Sequence, residues 1–183
     1  MWTFITDYCT EKNLVPAPKT IHIDFEKAMH KAISSTFPNT SIMCCIFHFS
    51  QNFWRKIQSL GLSALYKDKS SDVGKWLSKF FGLPFLSENE VEDSFAEDIM
   101  FDAPDDDNCS KFAYYVLECY IAETSIFPPC MWASVPDGNS PRTNNGPESF
   151  HVHFNAQFYV RHPNNIFIFL DVLQQIQTSP TSR

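Results

Sequence analysis

Residues 20–49 read TIHIDFEKAMHKAISSTFPNTSIMCCIFHF, and this stretch decides the fold of the chain. The alternating, β-branched segment Thr20–Ile23 predicts a short strand that ends at Asp24. In FEKAMHKAISSTF the apolar residues recur at the spacing of a helix, which Pro38 stops. The apolar run SIMCCIFHF is short enough for a second, buried strand. Strand, helix and strand within about 28 residues predict a βαβ unit with a parallel pair of strands.

The segments around this unit are predicted to be largely helical. Residues 1–13 have the pattern of a short helix, which the two prolines of LVPAPKT end. Helical periodicity returns in SQNFWRKIQSLGL, VGKWLSKFFGLPFL and CSKFAYYVLECYIAE, so we predict a helical insertion over residues 50–130. Ten acids fall within residues 88–107, where we predict a solvated loop and a helix end. Two more helices are predicted at residues 147–159 and 163–176.

Composition limits the class of protein. With 183 residues, 44% hydrophobic and 15% aromatic, the chain has the material for one domain with a packed core. A net charge of -7 argues against coating nucleic acid by bulk electrostatics, so such a role would need a local patch or metal ions. The six cysteines are scattered without CxxC pairs, which predicts reduced thiols in a nuclear or cytosolic protein. We expect no membrane association, because no apolar run is long enough to span one.

Two carboxylates are the candidates for chemistry. Asp24 stands at the carboxyl end of a predicted parallel strand, where open α/β sheets bind ligands, although it would also suit the N-cap of a helix beginning at Phe25. Glu148 follows RTNNGP at the start of a predicted helix, where an acid also complements the helix dipole. If that helix packs beside the strand, the two side chains would provide the oxygen ligands that Mg²⁺ or Mn²⁺ prefers.

Cys45 and His48 form a second candidate site. A Cys-x-x-His pair supplies two zinc ligands out of the four that a structural site needs. The alternative is a buried thiol beside a histidine that hydrogen-bonds within the core. Further zinc ligands would have to come from the remaining candidates, which have no diagnostic spacing: Cys109, Cys119, Cys130, His151 and His153.

Basic residues and one tryptophan complete the set of candidates. Trp132 is predicted to anchor the insertion onto the core, with base stacking as the alternative. A basic cluster on the predicted insertion helices is either a solvated face or a phosphate-contacting patch. Its members are Arg55, Lys56, Lys67, Lys69, Lys75 and Lys79.

In their order along the chain, four segments resemble the transposase domain of Mutator-like elements, the MULE transposase domain. They are IHIDFEKAMHKAI, CCIFHFSQNFWRKIQSLGLSALY, FFGLPFLSENEVEDSF and MWASVPDGNSPRTNNGPESFHVHF, which together cover nearly the whole chain. The resemblance implies an RNase H-like fold in which three acids hold two metal ions and DNA is cut and rejoined at transposon ends. Asp24 then matches the second acid and Glu148 the third, while Cys45 and His48 match the CxxH motif of the family. The residues predicted to contact DNA are Arg55, Lys56, Arg142, Asn144 and Asn145.

The chain departs from the family pattern at its beginning. The first acid of the triad should lie on an opening strand, yet only 23 residues precede Asp24, and Asp7 falls in a helical stretch. We therefore expect that the chain contains only the C-terminal part of the domain. It would comprise a partial RNase H-like α/β core of few strands over residues 1–49, the insertion over 50–130 and C-terminal core helices over 131–183.

This departure from the family pattern leads to expectations about function. With one carboxylate missing, the two-metal site would be incomplete and the chain would be an inactive transposase remnant on its own. Its first strand would have an unpaired edge, to be covered by a second copy of the chain or by a missing N-terminal part of the domain. The alternatives are a non-catalytic DNA-binding or protein-interaction module, and an unrelated helical interaction domain in which Asp24 and Glu148 are caps. A transposase-derived protein is expected in the nucleus, with the cytoplasm as the alternative.

Overall fold

The predicted βαβ unit is present at the start of the chain. The structure, a computed structural model, describes residues 2–68 and 70–136. The two strands pair in parallel, with Thr20 opposite Ser41 and Ile23 opposite Cys44. The elements of this part are α1 (Trp2–Glu11), β1 (Thr20–Ile23), α2 (Lys27–Thr36) and β2 (Ser41–Cys44).

Two local predictions in this unit are wrong. Asp24 is not the N-cap of α2, because the helix begins at Lys27 and Glu26 occupies the cap position. The Asp24 Oδ1 atom instead accepts the backbone N–H of Glu26 at 3.1 Å, as in a turn. The second strand is shorter than predicted, since β2 ends at Cys44 and residues from Ile46 onward are already helical.

The rest of the described chain, up to residue 136, consists of helices and connecting turns. No helix in that part of the chain has the length and apolar character needed to cross a membrane. The predicted α/β class is confirmed in the form of a mostly helical protein with a two-stranded parallel sheet, while the RNase H-like fold stays a prediction. The α-helices are α3 (Ile46–Ser59), α4 (Ser63–Lys67), α5 (Asp72–Lys79), α6 (Val91–Ser94) and α7 (Asp107–Val116). The tighter and wider helical turns are Phe80–Phe85, Glu88–Glu90, Phe95–Ile99, Leu117–Ile121 and Pro129–Met131.

An aromatic cluster holds the sheet and the helices together. Phe49 and Phe53 of α3 are fully buried, and Phe49 lies 4.7 Å from Trp132 between ring centroids. Trp132 is 1% exposed and its Nε1–H donates to the Phe127 carbonyl at 2.8 Å, which confirms its role as an anchor and hides its ring from ligands. One hydrophobic cluster runs from Cys44 to residue 133, and the predicted boundary between residues 49 and 50 lies inside α3.

The sheet is paired on one side of β1. The Lys19 carbonyl accepts from the Ser41 N–H at 3.0 Å, and the Ile23 carbonyl accepts from the Cys45 N–H at 2.9 Å. Because residues of a parallel strand face the neighbour alternately, Thr20 and His22 direct their backbone groups to the opposite edge. Among the described residues that edge has no strand beside it. Which partner covers it stays a prediction.

Candidate functional site

A polar cleft of about 340 Å³ lies where β1 ends. Asp24 and Glu26, in the turn after β1, contribute two carboxylates, and α3 contributes an imidazole, an amide and a guanidinium. The complete lining consists of Asp24, Phe25, Glu26, His48, Asn52 and Arg55. The carboxyl ends of parallel strands are the usual place for ligands in α/β proteins, and the cleft lies at that end of β1. A functional role for Asp24 stays a prediction.

Helix α3 presents one polar face to this cleft. His48, Asn52 and Arg55 are spaced i, i+4 and i+7, which places them on a single side of the helix. Phe49 and Phe53 follow one position later along the chain and turn into the core. Because α3 begins directly after β2, its first turn brings His48 to the same end of the sheet as Asp24.

Asn52 is a cleft residue that the sequence analysis did not name. Its Nδ2 donates to the Tyr120 hydroxyl at 3.3 Å, and that hydroxyl lies 3.2 Å from the hydroxyl of Tyr115. Burial raises the pKa of the Tyr120 phenol, so it stays protonated across the physiological range. The spacing from His48 to Asn52 and Arg55 was the sequence pattern that could have revealed this residue.

The backbone at Asp24 is held by a hydrogen bond and by ring contacts of the next residue. In the tautomer that carries its proton on Nε2, His30 donates to the Asp24 carbonyl at 2.9 Å, and the His30 side chain is 8% exposed. The next residue, Phe25, packs its ring 5.1 Å from Phe127 and 5.6 Å from Tyr120, measured between centroids. The hydrogen bond and the ring contacts fix where the Asp24 carboxylate leaves the backbone.

Cys45 and His48 lie at the strand–helix junction rather than on a strand. Cys45 occupies the N-cap position of α3 and is 1% exposed, while His48 stands in the first turn and lines the cleft. Within the described residues no group of three or more His, Cys, Asp or Glu side chains is arranged to hold a metal ion. The other cysteines named as ligands therefore do not gather around this pair, and zinc binding here stays a prediction.

All six cysteines are thiols, and their burial predicts very unequal reactivity. Burial raises the pKa of Cys44 to about 12, with a smaller contribution from the charge of Asp24, and burial also raises that of Cys109 to about 12. Since the thiolate is the reactive form and both thiols are buried, we expect neither residue to be alkylated at pH 8 in the folded protein. Burial also raises the pKa of Cys130, but its side chain is exposed to the reagent and should react. Mass spectrometry after alkylation, with and without denaturant, would check this; native labelling of Cys44 and Cys109 to the extent of Cys130 would contradict it.

The same shifts predict a pH dependence of stability. A pKa that is higher in the folded than in the unfolded state stabilises the fold below the unfolded value, which is 9.0 for these thiols. That contribution is lost as pH rises towards about 12. Denaturant titrations at pH values above 9 should show a decline that replacing both cysteines with serine reduces.

The two basic residues predicted to contact DNA from α3 do not share a surface. Arg55 is exposed and lines the cleft with Asp24. Lys56 lies about 100° further round the helix, in a separate groove, with its Nζ 4.8 Å from the centroid of the Tyr115 ring. Any contact of both residues with one ligand would therefore have to pass over α3.

Two further members of the predicted basic cluster are paired with acids. The Lys75 ammonium lies 3.0 Å from the Asp72 carboxylate one turn earlier in α5. Lys79 forms an ion pair with Asp102 and also donates to the Asp98 carbonyl. These ion pairs favour the interpretation of α5 as a solvated, locally neutralised face.

Several predicted site residues lie outside the described residues. Glu148, the proposed partner of Asp24, is among them, and so the separation of the two carboxylates stays a prediction. The same holds for the predicted DNA contacts of the RTNN segment, namely Arg142, Asn144 and Asn145, and for residue 69 of the basic cluster.

The fold and the cleft define an α/β protein with a polar site at the end of a parallel strand. Residues 1–52 match the family model of the MULE transposase domain. The match contains Asp24, the CxxH pair and Asn52, and it ends before Arg55. The resemblance to this family is thereby confirmed for the βαβ unit and the first half of α3. Among curated proteins and solved structures, none matches the chain.

Proposed function

We propose that this chain is a transposase-derived protein that engages DNA at the cleft beside Asp24. The observation that carries the proposal is the position of Asp24, at the end of β1 inside the segment that matches the MULE transposase domain. The cleft combines acidic oxygen ligands with the Arg55 guanidinium. A metal ion and a phosphate group need these two kinds of side chain in one place.

In this proposal Asp24 is a ligand for Mg²⁺ or Mn²⁺, together with Glu148. One Asp24 oxygen accepts the Glu26 N–H at 3.1 Å, and the second oxygen is not engaged in that bond. Asp24 and Glu26 have the hard oxygen donors that suit these cations, but the described residues provide fewer than three such ligands in one place. A divalent cation bound here would neutralise phosphate charge, and the chain itself would orient the DNA through Arg55 and Asn52. The predicted DNA contacts further along the chain are Lys56, Arg142, Asn144 and Asn145.

We further propose that the chain does not cut DNA by itself. Two-metal phosphoryl transfer needs a carboxylate that bridges the two ions, and Asp24 and Glu148 are two acids of the three in the family pattern. Residues 2–19, which precede β1, form α1 and a loop. Asp7, an exposed acid on α1, is not assigned to the missing position.

The metal ligand is tested by replacing Asp24 with asparagine, which keeps the shape and removes the charge. We expect the wild-type chain to bind Mn²⁺ measurably in calorimetry and Asp24→Asn to weaken that binding by about tenfold or more, the scale of loss that even supporting residues of metal sites show. Asp7→Asn removes the same charge from an exposed position on α1 and should leave Mn²⁺ binding unchanged.

Glu148→Gln extends the test to the second carboxylate. If the two acids share one cation, this variant should weaken Mn²⁺ binding as Asp24→Asn does, and the double variant should lose little more, because the site is already broken. Equal Mn²⁺ affinity in wild type and Asp24→Asn would overturn the metal site. A loss in Asp24→Asn without one in Glu148→Gln would overturn the pairing alone.

A second function, non-catalytic DNA binding, is favoured by Arg55. Its guanidinium is exposed in the cleft and would bind a phosphate without any metal. This alternative predicts that duplex DNA binds in the presence of EDTA, that added salt weakens the binding steeply and that Arg55→Gln reduces it. Binding that needs Mg²⁺ and is insensitive to Arg55→Gln would exclude it.

A further inference from the structure

The groove beside Lys56 is a second surface with the chemistry of a binding site. It has a volume of about 580 Å³ and lies between the C-terminal half of α3 and helix α7. Its lining includes two lysines, two tyrosines and one carboxylate, in a chain whose net charge is -7. The lining residues are Lys56, Leu60, Ser110, Lys111, Tyr114, Tyr115 and Glu118.

The two tyrosines of the groove differ in exposure and in their hydrogen-bond or cation partners. Tyr115 is partly buried, and its ring faces the Lys56 ammonium at 4.8 Å from the centroid. Tyr114 is 60% exposed, and its hydroxyl donates to the Glu118 carboxylate one turn later, which raises the pKa of that tyrosine. The bond with Glu118 holds the Tyr114 ring at the groove while a large part of its surface faces solvent.

We propose that this groove binds a segment of single-stranded nucleic acid. Tyr114 provides an aromatic surface on which an unpaired base stacks, and Lys56 and Lys111 provide positive charge for the phosphates on either side of that base. A duplex would not use Tyr114 in this way, because its base faces are already stacked on one another. The chain is acidic overall, so this local pairing of exposed ring and lysines favours a nucleic acid over a cationic ligand.

This inference rests on the proposed function only for the identity of the ligand as DNA. The groove shares no lining residue with the cleft at Asp24, and its residues lie beyond the segment matched by the MULE domain. Its binding should therefore be independent of divalent metal and of Asp24. That independence separates the two proposals experimentally.

The test measures fluorescence anisotropy of labelled oligothymidylate, oligouridylate and a DNA duplex of equal length, all in EDTA. Tyr114→Ala should weaken single-strand binding by about tenfold, the scale of losing one stacked base. Tyr114→Phe keeps the ring and should retain the binding. Lys111→Gln should reduce the slope of log affinity against log salt by about 0.7, the contribution of one neutralised phosphate on a single strand.

Tyr8 on α1 and Lys12 in the turn directly after it offer a matched control. The Lys12 ammonium lies 5.7 Å from the centroid of the Tyr8 ring, and Tyr8 is 56% exposed, so the pair has the same chemistry outside the groove. Tyr8→Ala should leave the affinity unchanged. Equal losses in Tyr8→Ala and Tyr114→Ala, or no loss in either, would overturn the groove as the binding site.

The remaining outcomes separate the groove from the cleft. If Arg55→Gln abolishes single-strand binding while Tyr114→Ala does not, the groove proposal fails and the cleft proposal stands. Preference for oligothymidylate over oligouridylate would identify DNA as the ligand, the reverse preference would identify RNA, and either supports a single-strand groove. Tighter binding of the duplex would overturn it.

Discussion

Replacing Phe49 with alanine is expected to lower the free energy of unfolding by about 3–5 kcal/mol, the usual cost of removing a buried phenylalanine. Phe49 is fully buried, and its ring lies 4.1 Å from that of Phe53, 5.3 Å from that of Tyr120 and 4.7 Å from that of Trp132, between centroids. A small domain has a total stability of about 5–15 kcal/mol, so this one truncation would remove a large share of it.

Phe47 is the matched control for this prediction. It lies on the same helix two residues earlier, but its side chain is 51% exposed and contacts the His48 ring at 5.5 Å. We expect Phe47→Ala to change the free energy of unfolding by less than about 1 kcal/mol, as for other surface positions. Denaturant titrations of the two variants measure the difference. Equal costs would show that the aromatic cluster around Phe49 does not carry the stability assigned to it.

The Phe49 prediction also bears on the cleft. Phe25 follows Asp24 directly, and its ring lies 5.9 Å from that of Phe49. Truncation of Phe49 would remove one of the surfaces on which Phe25 rests, so the turn carrying Asp24 should loosen along with the core. The βαβ unit and the helical part are thus stabilised by the same residues, although the family match covers only residues 1–52.

The βαβ unit was predictable from sequence because local patterns determine it. The alternation in Thr20–Ile23 and the helical spacing up to Thr36 each have one consistent interpretation, and a parallel pair follows from the intervening helix. The end of β2 was not predictable in the same way. The run SIMCCIFHF is apolar throughout, and periodicity alone does not distinguish a buried strand from the first turn of a buried helix.

The acidic segment shows a pattern that was present in the sequence and overlooked. Residues 88–107 were predicted to be a solvated loop and helix end because of their ten acids. The structure places helical turns over Glu88–Ile99, with Val91, Phe95 and Ile99 buried at intervals of four residues. The acids from Glu88 to Asp98 occupy the solvated side of these amphipathic helical turns, and the spacing of the three apolar residues was the stronger evidence there. The acids from Asp102 to Asp107 lie in the predicted loop and at the start of α7.

In the candidate site, too, the residues that local sequence patterns indicate were predictable, and those that depend on tertiary packing were not. Asp24 was identifiable because the carboxyl end of a parallel strand is a local property of the βαβ unit. Asn52 was identifiable only in part, since its spacing from His48 and Arg55 indicates a shared helix face but not that α3 turns this face towards β1. Arg55 and Lys56 were grouped as neighbours in sequence, yet adjacent helical residues diverge by about 100°, so the structure assigns them to two different surfaces.

Replacing Gly74 with alanine is expected to destabilise the protein by about 3 kcal/mol, the upper end of typical overpacking costs. Gly74 is buried in the first turn of α5, and a Cβ atom there would lie 2.4 Å from the Leu65 carbonyl oxygen and 2.9 Å from that of Asp68. Both oxygens belong to the backbone, so no side-chain rotation relieves the clash. Alanine is the better helix former by about 1 kcal/mol. A lower free energy of unfolding in Gly74→Ala would therefore come from the steric clash and not from helix propensity.

Gly82 provides the comparison for Gly74. It lies in the helical turn Phe80–Phe85, where an added Cβ would meet no atom within 4 Å. Gly82→Ala should be neutral or stabilising by up to about 1 kcal/mol, because alanine restricts the unfolded chain more than glycine does. Denaturant midpoints of the two variants, compared with wild type, give the result. If Gly74→Ala proves as stable as Gly82→Ala, then α4 moves away from α5 without a loss of stability. The close approach of the two helices would then not constrain this part of the fold.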